Sequence, residues 1–153
     1  MVDEREVVNY ILSKEIIDDY DMVETTENVK KLINRYKKAR YMYFVSRSNL
    51  EKITTNLEPK HSQITKNRKD TFGNSIAIMI DSEETLKNFE LIFNDLVTTF
   101  VNEEKKYYFY CLSDNNSETY LSECLNISRT GLKPFKESCI LKIALAFHLE
   151  VEK

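Results

Sequence analysis

Glycine, proline and tryptophan are nearly absent from this chain of 153 residues, which holds two glycines, two prolines and no tryptophan. Sheet proteins use Gly and Pro in their turns, so this scarcity favours long helices and an all-α fold. Two glycines also cannot form a Gly-rich loop that cradles phosphate, which excludes the common nucleotide-binding motifs. The apolar content of 42% is enough for a folded core.

Cysteine and histidine are too few and too scattered for a metal site. Cys111, Cys124 and Cys139 form no CxxC pair, and His61 and His148 are not spaced to complete a ligand set. Each cysteine lies in an apolar helical pattern, so we expect buried, reduced thiols. No metal and no other cofactor is expected.

Long apolar runs and converging catalytic groups are also lacking. No run reaches the ~18 residues of a membrane helix, and residues 1–5 are acidic, unlike a signal peptide. The sequence therefore predicts a cytoplasmic protein. Asp81, Glu83 and Glu84 have no nearby nucleophile or metal ligand, so no enzyme activity is expected.

Charge is abundant but segregated along the chain. The net charge is −3 overall, yet residues 28–70 carry nine more bases than acids, and residues 126–153 carry two more. The two intervening regions, 1–27 and 71–125, each carry seven more acids than bases. This distribution is compatible with nucleic-acid binding, although the total charge is not in its favour.

Apolar periodicity divides the chain into two helical regions. Residues 1–53 read as a helical arm or hairpin, with Thr26 as the cap of its second helix. Residues 54–74 lack periodicity and read as a flexible linker. Residues 75–153 read as a helical domain, in which NSIAIMID fits a strand or a helix start, with helix favoured by the dense apolar face that follows.

Residues 120–136, YLSECLNISRTGLKPFK, fill the positions of a helix-turn-helix. Such a motif locks two short helices at a fixed angle through a tight turn. Asn126 tolerates the left-handed backbone of the turn, and Ser128 caps the second helix. The positions expected to be buried hold Leu121, Ser122, Leu125, Ile127, Leu132 and Phe135.

The remaining positions of the second helix are polar and predict a DNA-reading surface. Arg129 is the best candidate for a guanine contact, and Thr130 for a base or phosphate contact. Lys133 and Lys136 fit phosphates, and Ser128 lies at the helix start beside them. A plain helical hairpin has the same burial pattern and stays open as an alternative.

Pro134 is the discordant residue of this motif, because an interior proline removes a helical hydrogen bond and costs about 3 kcal/mol. Two arrangements are open. The long helix begins at Pro134 after a separate turn, which proline favours at a first helical position, or the helix continues through Pro134 with a bend.

Residues 86–151 resemble the C-terminal half of the ArpU/RinA-type phage late-gene activators and, more distantly, region 4 of sigma factors. The resemblance rests on LIFNDLVTTF, EEKKYYFYCL, the LNISRT turn and the closing KIALAF, with a further likeness in NVKKLINRYKKAR. It implies a sigma-region-4-like helix-turn-helix and a phage or prophage activator that binds double-stranded promoter DNA in a bacterial host. Gly131 and Pro134 depart from the family pattern.

A second basic surface precedes the linker. Its members are Lys30, Lys31, Arg35, Lys37, Lys38 and Arg40. They predict either phosphate contacts or a docking surface for an acidic partner such as RNA polymerase or a regulatory protein, and a plain solvated face is equally compatible. The acidic residues 1–27 are a candidate mask for this surface, within one chain or between two chains.

Three functions therefore remain open from the sequence. The first is a sequence-specific activator, as a homodimer on paired half-sites or as a monomer held by polymerase. The second is a helical adaptor that binds only proteins. The third is a non-specific DNA-packaging or recombination component.

Overall fold

The computed structural model describes the backbone of residues 10–55 and 65–153, and the side chains of residues 10–52 and 73–153. All regular elements in these ranges are helical, which confirms the all-α prediction. They are α1 (Lys14–Asp18), α2 (Met22–Thr55), α3 (Thr65–Val97), α4 (Asn102–Lys106), α5 (Glu118–Leu125) and α6 (Arg129–Phe147). Helix α4 continues directly into a π-helical segment, Tyr107–Ser113.

The start of α2 differs from the prediction. Asp21, and not Thr26, caps the helix, since its Oδ1 accepts a hydrogen bond from the Glu24 N–H at 3.2 Å. Thr26 lies inside the helix and donates its hydroxyl hydrogen to the Met22 carbonyl oxygen. Aspartate and threonine are both capping residues, so the choice between them depended on contacts outside the motif.

Two compact units divide the chain. The first contains the described residues up to Ile33 together with Leu91–Lys153, and the second is Asn34–Glu90. Helices α2 and α3 each contribute to both units, so this division differs from the one at residues 53 and 75. Residues 65–74 of the expected linker are helical, and residues 56–64 lie outside the described residues.

The second unit has a heptad-like pattern of small buried residues. Ala39 and Ser46 are seven residues apart on α2, and Ser75 and Ser82 are seven apart on α3. Nearby, the rings of Tyr36 and Phe89 are stacked, with centroids 4.1 Å apart. Repeats of seven keep one helix face toward a partner helix, and small side chains let backbones approach closely.

The first unit holds a continuous apolar core. Helix α6 is its centre, because an unbroken run of its residues, from Ser138 to Ala144, is buried. The core members outside α6 are Val29, Ile33, Leu96, Phe100, Tyr107, Tyr108, Leu112 and Leu121.

A buried ion pair lies inside this core. The Glu104 carboxylate is 0% exposed, and its Oε1 lies 2.7 Å from Nζ of Lys142, which is 7% exposed. Oε2 accepts a hydrogen bond from the Ser138 hydroxyl at 3.1 Å, and Oε1 accepts one from the Val101 N–H. Lys142 also donates to the Thr99 carbonyl oxygen at 2.7 Å. Both charges are thus compensated where α4 meets α6.

We expect Lys142→Met to lower the free energy of unfolding by about 3–5 kcal/mol, because it leaves the Glu104 charge buried without its cation. The matched control is Lys133→Met on the same helix, because the Lys133 side chain is 71% exposed and lies 3.7 Å from the Glu137 carboxylate. The control should change stability by less than about 1 kcal/mol. Urea unfolding measures both, and equal effects would contradict the prediction.

Candidate nucleic-acid interface

The turn between α5 and α6 is a left-handed helix cap. Asn126 has φ 55° and ψ 42°, and its N–H donates to the Glu123 carbonyl oxygen. The next N–H, of Ile127, donates to the Ser122 carbonyl oxygen at 3.1 Å. These two bonds are those of a Schellman motif, which ends a helix and redirects the chain within two residues. The left-handed turn expected at Asn126 is therefore present.

Ser128 begins α6 as expected. Its Oγ accepts a hydrogen bond from the Gly131 N–H at 3.0 Å, so the hydroxyl oxygen caps the N-terminus of α6. A Cβ added to Gly131 would lie 3.3 Å from this Oγ, and the missing side chain leaves room for the cap. Ser128 is exposed and remains at the edge of the candidate interface.

Burial in the helix pair follows the predicted pattern in most positions. Leu121, Ser122 and Leu132 are buried, at 0%, 5% and 1% exposure. Leu125 and Ile127 are partly buried and pack against the core of the first unit. Phe135 is also only partly buried, so the inward face of α6 is more exposed at this position than the spacing predicted.

Pro134 lies inside a continuous helix. Helix α6 begins at Arg129 and runs through Pro134 to Phe147, so the alternative in which it begins at Pro134 is wrong. Proline lacks the N–H that would bond the carbonyl of Thr130. Thr130 is exposed, so water has access to this part of the helix, where one backbone hydrogen bond is missing.

Three of the predicted cations form ion pairs with two acids that the sequence analysis did not single out. Glu118 at the start of α5 pairs with Lys136 at 2.5 Å and with Arg129 at 3.6 Å. Glu137 pairs with Lys133 at 3.7 Å. The Lys133–Glu137 pair was visible as an i,i+4 spacing, but the Glu118 pairs join different helices and depend on the fold.

The ion pairs change the titration of Glu118. Partial burial raises the pKa of its carboxyl group, but the hydrogen bond from Lys136 and the charges of Lys136 and Arg129 lower that pKa by more. The net pKa is below the ordinary value for glutamate. Glu118 therefore stays ionised at neutral pH and holds both cations on one side of the helix pair.

All the predicted recognition residues except Ser128 line one open cleft. It measures about 480 Å³ and is lined by Glu118, Arg129, Thr130, Leu132, Lys133, Lys136 and Glu137. The side chains of Arg129 and Lys133 are 69% and 71% exposed, whereas that of Lys136 is 33% exposed. Arg129, Thr130 and Lys133 are thus the residues most available to a ligand.

The second basic surface follows α2. Lys30 and Lys31 belong to the first unit, and Arg35, Lys37, Lys38 and Arg40 belong to the second. All six are exposed except Lys37, which is partly buried.

The structure bears on the acidic N-terminal mask only within one chain, and masking between two chains stays a prediction. Residues 22–27 are the first turns of α2 itself, continuous with the basic stretch, and cannot fold back onto it. Helix α1 instead contacts α6. Residues 1–9 of the expected mask lie outside the described residues.

The cysteines also differ from one another. Cys139 is buried, and burial together with the neighbouring Glu104 raises the pKa of its thiol well above the ordinary value. Cys111 is partly buried and Cys124 is exposed, so the expectation of three buried thiols is wrong for these two. Cys124 lies on the outer face of the short helix α5, which the apolar pattern did not distinguish from its inner face.

Comparison of the chain with protein-family models, with curated proteins and with solved structures gives no match. Within residues 10–55 and 65–153, no group of His, Cys, Asp or Glu side chains is arranged to hold a metal ion. The same part of the chain has no helix with the length and apolar character needed to cross a bilayer.

We expect Asn126→Ala to lower the free energy of unfolding by about 1–2 kcal/mol, because a Cβ without a compensating polar group is disfavoured in the left-handed region. Asn126→Gly is the matched control and should be neutral within about 0.5 kcal/mol. Chemical denaturation compares the two variants. Equal stabilities for Ala and Gly at this position would contradict the turn geometry.

A second prediction concerns the Glu118 carboxyl group. Lys136→Met should raise its pKa toward the ordinary value, and Lys133→Met should leave it unchanged. Because the folded pKa is depressed, the ion pair stabilises above the unfolded pKa, and this stability is lost as the pH falls through the folded pKa. Carbon-detected NMR titration of the side-chain carboxyl group measures the shift, and no difference between the variants would contradict it.

Proposed function

We propose that this chain is a sequence-specific DNA-binding regulator of transcription that inserts the N-terminal half of α6 into the major groove. The observation that carries the proposal is the tight left-handed turn at Asn126, followed by a capped helix whose first turns expose Arg129, Thr130 and Lys133. In helix-turn-helix proteins the N-terminal residues of the second helix contact base edges.

The exposed side chains suit that role chemically. Arginine contacts guanine O6 and N7 through two hydrogen bonds, and threonine reaches a base or a phosphate. Lysine supplies a point charge for phosphate, and such contacts account for much of the affinity. Arg129 is therefore proposed as the base-reading residue, with Thr130, Lys133 and Lys136 as supporting contacts.

The ion pairs around Glu118 are compatible with this role. The Arg129–Glu118 distance of 3.6 Å is long for a charge-assisted hydrogen bond, and both partners are reached by water. An exposed pair of this kind is worth about 1 kcal/mol or less, so DNA can replace it. Glu118 would then orient the Arg129 side chain in the free protein and release it to a base.

The resemblance to ArpU/RinA-type activators supports a more specific target. It suggests a promoter of phage late genes and RNA polymerase as the protein partner. The basic surface of α2 fits either phosphates beyond the core site or an acidic surface of that partner.

A helical adaptor is the second candidate, and one observation favours it. Phe109, Tyr110 and Tyr120 are 48%, 37% and 49% exposed on the first unit. Exposed aromatic residues are enriched in protein–protein interfaces. In this reading the paired cations of α6 are an ordinary solvated surface.

Selection from randomised duplex DNA at ~150 mM salt, followed by sequencing, tests the proposal, since this salt weakens phosphate-only binding. Wild type should enrich a motif. Arg129→Ala should weaken binding to that motif by about 1–3 kcal/mol, or roughly 5- to 150-fold, and relax one base position.

The matched control is Arg47→Ala. It removes the same charge from an exposed ion pair on a different helix, α2. It should leave the selected motif unchanged. Binding without any enriched motif would favour the non-specific packaging function, and an absence of binding would favour the adaptor.

A further inference from the structure

An N-terminal segment lies along α6 beside the candidate interface. We call residues 10–21 the strap. The Leu12 N–H donates to the Ser138 Oγ on α6 at 2.7 Å, and Ile17 is 4% exposed. This bond extends the buried Glu104 network, because Ser138 donates its own hydrogen to Glu104. Within the described residues, the hydrogen bond from Leu12 to Ser138 holds this end of the strap to the helix proposed to read DNA.

The other end of the strap is fixed more firmly. The Asp21 N–H donates to the Val151 carbonyl oxygen at 2.7 Å, and the Lys153 N–H donates to the Asp19 carbonyl oxygen at 3.2 Å. Tyr20 and Glu152 form an antiparallel bridge between these bonds. Residues 10–13 can therefore leave α6 while residues 19–21 stay attached to the C-terminal tail.

The strap occupies one flank of the candidate interface. A cleft of about 750 Å³ lies between the strap and α6. Ile11, Ser13 and Lys14 line it on the side of the strap. The α6 residues in this cleft are Thr130, Lys133, Pro134 and Glu137. Thr130, Lys133 and Glu137 also line the cleft beside Glu118. The strap thus reaches the edge of the surface proposed to contact DNA.

The width of the major groove limits what can lie beside α6 when the helix binds DNA. The groove of B-DNA is about 12 Å wide, and an α-helix with its side chains is about 10–12 Å across. A bare helix fills the groove, so no room is left for a chain along its flank at the depth of the bases. Insertion of α6 would bring a wall of the groove toward the flank that holds Thr130 and Pro134, and so toward the strap across the shared cleft.

The charge of the strap also opposes DNA binding. Residues 10–21 carry Lys14 and four acids, Glu15, Asp18, Asp19 and Asp21, a net charge of −3. Asp18 and Asp21 line the cleft with Lys133. Phosphates of a bound duplex would approach this acidic segment, which opposes binding at moderate salt.

We propose that the strap is an autoinhibitory element, and that DNA binding by α6 requires release of residues 10–13 from Ser138. This inference rests on the proposed DNA-binding function. By thermodynamic reciprocity, bound DNA must open the strap to the same extent that the closed strap weakens DNA binding.

The test uses the full chain with two proline variants and the duplex obtained by selection, or a mixed-sequence duplex if no motif is enriched. Leu12→Pro removes the N–H that bonds Ser138. Ile11→Pro is the matched control, since the Ile11 N–H has no hydrogen bond in the described part of the chain. Leu12→Pro should tighten binding about threefold to tenfold, the range for one net hydrogen bond, and Ile11→Pro should bind like wild type.

Hydrogen–deuterium exchange on wild type gives a second readout that needs no variant. Within peptides covering residues 10–21, the amides of residues 10–13 should exchange faster when DNA is bound, whereas those of residues 19–21 should not. This measurement decides the question if Leu12→Pro fails to fold, and unchanged or slower exchange in these peptides would overturn the autoinhibition.

The outcomes separate the two proposals. Binding by wild type with no gain in Leu12→Pro overturns the strap inference and leaves the proposed function standing. An equal gain in both proline variants traces the effect to chain stiffness and overturns the role of the Leu12–Ser138 bond. If neither wild type nor Leu12→Pro binds any duplex, both proposals fail.

Discussion

The fully buried carboxylate of Glu104 is the constraint around which the first unit is arranged. Removing a charge from water costs several kcal/mol unless partners of the right geometry replace the water. Lys142 and Ser138 of α6 provide two partners and the Val101 N–H a third. The start of α4 and the middle of α6 must therefore meet in one register, since a slip of one residue on either helix would leave the charge uncompensated.

This register has consequences beyond the ion pair. Ser138 lies nine positions after Arg129 on the same helix, and it also accepts the Leu12 N–H. The polar network thus connects the interior of the core with the segment that flanks the candidate interface. A change in Ser138 would affect the core and the strap together, whereas a change at Leu12 leaves the side chains that bond Glu104 in place.

The candidate interface depends on a different kind of interaction. Asn126 and Ser128 act locally, since the hydrogen bonds at each cap join backbone groups within five residues of it. They set where α5 ends and α6 begins. The ion pairs of Glu118 then hold Arg129 and Lys136 near the crossing of the two helices, so the cations are organised before any ligand arrives.

Features that depend on local physics could be predicted from the sequence: the all-α composition, the left-handed turn at Asn126, the Ser128 cap, and the burial of Leu121 and Leu132. Tertiary structure decided the rest. Lys142 stands in an apolar run, and nothing near it in sequence shows that Glu104 is its partner. Glu118 meets Arg129 only because α5 and α6 fold together. Helix α6 continues through Pro134, and Asp21 rather than Thr26 caps α2. The spacing of residues along the sequence predicts contacts within one helical turn. The partners that compensate a charge are residues that only the folded chain brings into contact.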